Sequence, residues 1–277
     1  GVDYIELGYK ADESQFLRSE YGPMKFCSEK DIEKVVNGEE VKCKISVMVD
    51  IGRVDPSTIP QKSESFIDMM RVASYVKDID KAIELANQIQ AKGYEATINL
   101  MAVSHARERE LDEALIQVER ESNVDALYLV DSFGALYSEQ VSHLAKKYKS
   151  LMPTKEIGIH AHNNQQLAFA NTIEAIIQNV NYLDGTIFGI GRAAGNCPLE
   201  LLLGFLKNPK YDLRPILEIL ESHFVKLKEE IEWGYTIPYM ITGILDLHPR
   251  AGMKLRKSES KDDYLGFFDS LAQSDSA

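Results

Sequence analysis

Two histidines stand two residues apart in Ile157-Gly158-Ile159-His160-Ala161-His162-Asn163-Asn164, a run that otherwise reads as a β-strand. Successive strand side chains alternate faces, so His160 and His162 share one face while Ile157, Ile159 and Ala161 share the other. The apolar face suits packing under helices. The other carries two imidazoles and nothing apolar to hide them. A buried parallel strand is normally apolar on both faces, so clustered imidazoles there need partners. The bland alternative is two polar residues on a solvated strand face. Ligation of a divalent metal satisfies both rings at once, and His160 and His162 are expected to be metal ligands.

One strand–helix unit later comes Asp184-Gly185-Thr186-Ile187-Phe188-Gly189-Ile190-Gly191-Arg192-Ala193-Ala194-Gly195-Asn196, a strand running into a glycine-rich loop. Its glycines let the backbone approach a ligand closely. Such a loop can cradle phosphate or simply turn tightly. As the neighbour of the histidine strand it would bring Asn196 to the same metal through its amide oxygen. Cys197, which follows, reads as a small packed residue.

Further polar residues fall late in other strand-like runs: Glu6, Asp50, Arg71, Asn99 and Asp131. Glu6 is either a solvated strand-end charge or a proton-handling carboxylate near the metal. Arg71 lies in the otherwise apolar Met69-Met70-Arg71-Val72-Ala73, and a buried guanidinium needs a carboxylate. That carboxylate is Glu6 or Asp50 structurally, or a substrate carboxylate functionally. Asp131 and Asn99 are expected to face the same end of the sheet. Glu6, Arg71 and Asp131 are thus the catalytic candidates. No residues for an organic cofactor are identified. His248, within Leu247-His248-Pro249-Arg250, is a candidate to fold over the site.

The elements that must position these groups alternate. Strands are expected at Val2–Tyr9, Lys42–Asp50, Phe66–Ser74, Tyr94–Ser104, Ala126–Phe133, Glu156–Asn163 and Tyr182–Gly189. Helices are expected between them, the clearest at Asp80–Lys92, where Ala82, Ile83, Ala86 and Ile89 recur at helical spacing before Gly93. Ser28-Glu29-Lys30-Asp31 resembles a capping box opening another. This alternation indicates βαβ units and a parallel sheet. No GxGxxG follows the first strand, which counts against a dinucleotide-binding sheet. Polar residues at strand ends favour a TIM (β/α)8 barrel, which gathers those ends at one mouth. Seven strands are expected where a barrel needs eight, and the simplest reading is that the first is lacking in this chain. Residues 1–206 are assigned to the barrel (strands 2–8) and 207–277 to a C-terminal helical extension. That extension opens with a long charged helix, Leu213–Glu230, and ends in a polar, loosely held tail from Lys257.

The 277 residues carry a net charge of −12 with 44% apolar content. This counts against a nucleic-acid groove or an anionic-membrane surface as the main partner. No apolar run approaches the ~20 residues of a membrane helix. Three cysteines, Cys27, Cys43 and Cys197, without CxxC spacing fit a reducing, cytoplasmic compartment rather than a disulfide scaffold.

His160-Ala161-His162-Asn163, followed one unit later by Gly189-x-Gly-Arg-x-x-Gly195-Asn196, resembles the signature of the DRE-TIM metallolyases. That family includes 4-hydroxy-2-oxovalerate aldolase, HMG-CoA lyase, isopropylmalate synthase and homocitrate synthase. Ile5-Glu6-Leu7-Gly8 and Asp131-Ser132-Phe133-Gly134 also match it, and the resemblance covers roughly Gly1 to Phe205. It implies a divalent ion (Mn2+, Mg2+ or Zn2+) held by the two histidines, often the asparagine, and a first-strand aspartate. It also implies a first-strand arginine. Neither first-strand residue is found here, which agrees with the strand count and leaves the activity of this chain in doubt. The implied function is aldol cleavage of a 4-hydroxy-2-oxo acid to pyruvate and an aldehyde, by a homo-oligomer. A Claisen-type acyl-CoA synthase or lyase and a non-catalytic barrel module are the alternatives.

Overall fold

The computed structural model describes residues 1–38 and 41–274. Among these residues seven strands form one sheet in sequence order: β1 (Tyr4–Tyr9), β2 (Lys44–Asp50), β3 (Met69–Tyr75), β4 (Glu95–Met101), β5 (Ala126–Asp131), β6 (Glu156–Ala161) and β7 (Tyr182–Leu183). The pairings from β1 through β5, and of β6 with β7, are parallel. Helices alternate with the strands, so the fold is α/β and TIM-like, as the sequence pattern requires. The chain divides into two compact units, Gly1–Leu129 with Lys147–Ile157, and Val130–Lys146 with the chain from Gly158 onward.

In the first unit the helical periodicity does its expected work. Helix Ile79–Ala91 buries Ala82, Ile83, Ala86 and Ile89 and packs against β3 and β4. Gly93, at φ +93°, turns the chain out of it. Helix Glu29–Val36 begins at Ser28, whose hydroxyl accepts the Asp31 backbone N–H at 3.3 Å. Ile98, Leu100 and Val72 are fully buried, each contributing about 1.5–3 kcal/mol by leaving water. Register sets Glu6 opposite Ser46, Arg71 opposite Met48 and Asn99 opposite Tyr128. Glu6, Arg71, Asn99 and Tyr128 therefore share one face of the sheet.

In the second unit β7 is shorter than its sequence suggests. Past Leu183 the backbone pairs with the returning glycine loop instead: the Thr186 N–H donates to the Cys197 carbonyl, and the Leu199 N–H to that of Thr186. Residues 214–230 are one continuous helical run with a π-helical turn at Leu220–Phe224. Helices Ile237–Ile244, Arg250–Arg256 and Tyr264–Ser274 follow. The tail expected to be loose is thus largely helical, its last helix opened by Asp263, whose carboxylate accepts the Gly266 N–H.

The loop after β6 ties down helix Ile237–Ile244. Asn164 Nδ2 donates to the Tyr239 carbonyl at 3.2 Å, and Gln165 Nε2 to the Gly243 carbonyl at 3.5 Å. Gly243 allows this approach, since a Cβ there would stand 2.8 Å from Asn164 Cβ.

Candidate metal centre

Ile157, Ile159 and Ala161 are at most 2% exposed, whereas His160, on the alternate face, is half-buried. Ile159 pairs with Leu183, and the Asp184 N–H donates to the Ile159 carbonyl. Asp184 therefore lands beside His160, and its Oδ2 lies 2.8 Å from His160 Nδ1. A carboxylate can only accept, so the ring proton sits on Nδ1 and Nε2 presents its lone pair.

His162 repeats the arrangement with a different acceptor. Its Nδ1 lies 3.3 Å from the Gly195 carbonyl oxygen, which again requires Nδ1–H and leaves Nε2 as the lone-pair nitrogen. The two rings are 5.1 Å apart, nearly perpendicular. Burial pushes the His162 imidazole well below its ordinary pKa, and neighbouring His160, Arg192 and His248 act in the same direction. His162 is held in the neutral form.

The glycine loop supplies both the carbonyl and a third donor. Gly195 adopts φ +80°, and a Cβ there would collide with the Gly189 carbonyl oxygen at 2.0 Å. Only glycine closes this turn, and the closure aims the Gly195 carbonyl at His162. Asn196 bridges the His162 backbone. Its Nδ2 donates to the Ile190 carbonyl at 3.1 Å, while its Oδ1 is buried without a hydrogen-bond partner. A buried acceptor left so is costly unless a ligand takes it.

Two Nε2 lone pairs and one orphaned amide oxygen form a mixed N/O donor set that fits Mn2+, Mg2+ or Zn2+. Among the described residues no three His, Cys, Asp or Glu side chains come together as a metal-binding group, so the fit rests on the imidazoles and the amide.

Arg192 and His248 complete the surroundings. Arg192 Nη2 donates to the Ser132 carbonyl at 2.8 Å and lies 3.5 Å from His162 Nε2. Its Nη1 lies 3.4 Å from His248 Nε2. The His248 ring packs 5.7 Å from that of Phe133. Burial, then Arg192 and Arg250, pushes His248 down to about 4. Sequence reasoning misses Asp184 as a histidine partner and Arg192 as a functional group. The one available signal is an arginine inside the Gly189–Gly195 turn.

Asp131 is the last residue of β5, at the end of the strand, and its partners are in the loop that follows. Its carboxylate accepts the backbone N–H groups of Ala135 at 2.9 Å and Leu136 at 3.3 Å, which folds the loop after β5. Burial pushes it up to about 7, against the pull of those N–H groups and with the Asp246 charge adding to the rise. Cys197 is fully buried, and burial pushes its thiol up to about 11, in keeping with a packed residue.

In the first unit Arg71, 5% exposed, donates from Nη1 to Glu6 Oε2 at 2.8 Å, and its guanidinium carbon sits 4.4 Å from the Tyr128 ring centroid. Of the two carboxylates expected to pair with Arg71, Glu6 is thus one that does. Asn99 lies 3% exposed with its Oδ1 lacking a hydrogen-bond partner.

Fold and site together define an α/β TIM-like protein with a two-histidine centre and a glycine-loop asparagine. The chain belongs to the HMGL-like family, which it matches over residues 1–222, in line with the resemblance carried by the two motifs. It is 29% identical over 184 residues to 4-hydroxy-2-oxovalerate aldolase of Thermus thermophilus, covering 65% of this chain and 53% of that protein. It is 31% identical over 142 residues to oxaloacetate decarboxylase of Mycobacterium tuberculosis, covering 51% and 42%. The chain spans about half the length of these curated relatives. Among solved structures it is similar to the N-terminal domain of a candidate aldolase from Bacteroides vulgatus, with a TM-score of 0.78 and 27% identity over 93% of this chain and 86% of that one. Among the described residues no helix is long and apolar enough to cross a membrane.

Proposed function

We propose that the chain is a divalent-metal-dependent carbon–carbon lyase acting on a 4-hydroxy-2-oxo acid, releasing pyruvate and an aldehyde. The observation that carries the reading is the shared tautomer of His160 and His162. Each ring gives its Nδ1 proton to an oxygen, Asp184 Oδ2 or the Gly195 carbonyl, and leaves Nε2 as the acceptor nitrogen, that of His162 facing Arg192 Nη2 at 3.5 Å. The similarity to the Thermus thermophilus aldolase supports the substrate class.

His160, His162 and Asn196 are the proposed ligands. A bound divalent ion would polarise the keto oxygen of a 2-oxo acid and offset the negative charge that builds as the carbon–carbon bond breaks. Asp184 and Gly195 fix the tautomers and ring orientations, and such outer partners raise ligand basicity. Within the first unit, Glu6, held by Arg71 at 2.8 Å, is a proposed proton-handling carboxylate. Arg71 acts through Glu6. Asp131 acts through the loop it holds.

A second reading, loss of carbon dioxide from a 2-oxo dicarboxylic acid, draws on the similarity to the Mycobacterium tuberculosis decarboxylase. It uses the same electron flow with a different leaving fragment.

The test is pyruvate release from a panel of 4-hydroxy-2-oxo acids and oxaloacetate, before and after chelation. The reading expects release with added Mn2+, Mg2+ or Zn2+ and its loss with chelator. Release that persists undiminished through chelation would overturn the reading.

A further inference from the structure

The glycine loop that carries Asn196 holds an unfavourable backbone conformation. Phe188 (φ +56°), Gly189 (φ +59°), Ala193 (φ +55°) and Gly195 (φ +80°) all lie in the left-handed region. Glycine tolerates that region, whereas Phe188 and Ala193 each carry a Cβ that crowds the backbone there. Such residues persist where the surrounding structure over-determines them. The two residues with a Cβ are also the two whose carbonyls are held by consecutive residues of the C-terminal segment. Trp233 Nε1 donates to the Phe188 carbonyl at 2.9 Å, and the Gly234 N–H donates to the Ala193 carbonyl at 3.1 Å. The buried Trp233 ring lies 3.5 Å from where a Gly195 Cβ would stand, and it meets the Phe188 ring edge-on with centroids 5.9 Å apart. Tyr239 packs with Ala193 and Ala194 in one buried cluster. The conformation held in this way reaches the metal donors. The Asn196 N–H donates to the Gly189 carbonyl, and the Gly195 carbonyl lies 3.3 Å from His162 Nδ1.

We propose that the segment from Trp233 to Tyr239 is a clasp that holds the metal loop in its ligating conformation, with Trp233 as a positioning residue for Asn196 and His162. The inference rests on the metal-centre reading, since it needs those two residues to hold the ion. Trp233 acts through the loop backbone and not on the ion. Without the indole N–H, the Phe188 carbonyl loses its donor, and the loop is free to relax out of the left-handed conformation. The ion then binds the fraction of chains whose loop remains in place, and its apparent affinity falls by that fraction. Trp233 and Gly234 lie beyond residues 1–222, over which the chain matches the family. The clasp thus gives the C-terminal helical segment a role at the centre.

Trp233 is the single tryptophan of the chain, so biosynthetic replacement of tryptophan alters this position alone. Three forms of the full chain are compared with wild type. One carries 5-fluorotryptophan, which keeps the ring and its N–H. One carries 3-benzothienylalanine, which keeps the ring shape with sulfur in place of the N–H. The third is Trp233→Phe. Each is titrated calorimetrically with Mn2+, Mg2+ or Zn2+, whichever the wild-type chain binds most tightly. The clasp predicts affinity within about twofold of wild type for the fluoro form. It predicts a loss of about three- to tenfold for the benzothienyl form, the scale of one hydrogen bond. Trp233→Phe, which also gives up ring contact with Gly195, should lose at least as much. The benzothienyl form carries the test even if Trp233→Phe does not fold. A purely structural role would lower the melting temperature and leave the affinity of the folded chain unchanged. Equal affinity in all forms, or a loss in the fluoro form equal to that in the benzothienyl form, overturns the clasp and leaves the metal centre standing. A wild-type chain that binds none of the three ions overturns both.

Discussion

His160 Nδ1 and Asp184 Oδ2 lie 2.8 Å apart because β6 and β7 pair in a register that sets the two residues side by side. The hydrogen bond decides which imidazole nitrogen is available. Asp184→Asn presents an amide that can face Nδ1 with either its oxygen or its nitrogen, and the fixed tautomer is lost. Metal affinity should fall about 10–100-fold, the usual effect of removing a ligand's outer partner. Mn2+ titration of the variant checks this, and an unchanged affinity would remove Asp184 from the centre.

Two glycines in neighbouring segments should respond oppositely to alanine. At Gly195, with φ +80° and the Gly189 carbonyl 2.0 Å from a built Cβ, Gly195→Ala should cost about 1–3 kcal/mol through strain and overpacking. It should also weaken metal binding, because the Gly195 carbonyl that orients His162 moves. Gly204 is exposed within helix Leu199–Leu206, and a Cβ there meets nothing within 4 Å. Gly204→Ala should stabilise by about 0.5–1 kcal/mol. Denaturant unfolding of both variants decides the signs.

Much of the fold and of the centre is legible in the order of the amino acids. The βα alternation names the fold, and the period-two spacing puts His160 and His162 on one face. Other features are not legible there, for physical reasons. Asp131 is expected at the strand mouth because it is polar and late in β5. It is indeed the last residue of β5, but the sequence does not reveal that its carboxylate is taken up by the backbone N–H groups of Ala135 and Leu136. Asp184 is 24 residues from His160, and only the β6–β7 register reveals their contact. The meeting of Arg192 with His248, 56 residues apart, depends on how the C-terminal helices pack, and no local pattern encodes it.

Burial raises Asp131 from an ordinary 3.8 to about 7 in the folded chain. The folded state therefore holds this proton more tightly than the unfolded state. The stability linked to it is fully present below about pH 4 and is lost as pH rises through about 7. Asp131→Asn cannot titrate. Its melting temperature should consequently improve relative to wild type between about pH 4 and pH 8, whatever the fixed cost of replacing the carboxylate that holds Ala135 and Leu136. A difference between the two proteins that stays constant over this range would refute the raised pKa.

The central claim is that His160 and His162, with Asn196, hold a divalent ion. Its most direct test is Mn2+ binding to the chain followed by electron paramagnetic resonance, comparing wild type with His160→Ala and His162→Ala. The account predicts one bound ion per chain, lost in both variants while circular dichroism stays unchanged. Variants that bind Mn2+ as tightly as wild type, or a wild-type chain that binds no Mn2+, Mg2+ or Zn2+, would contradict it.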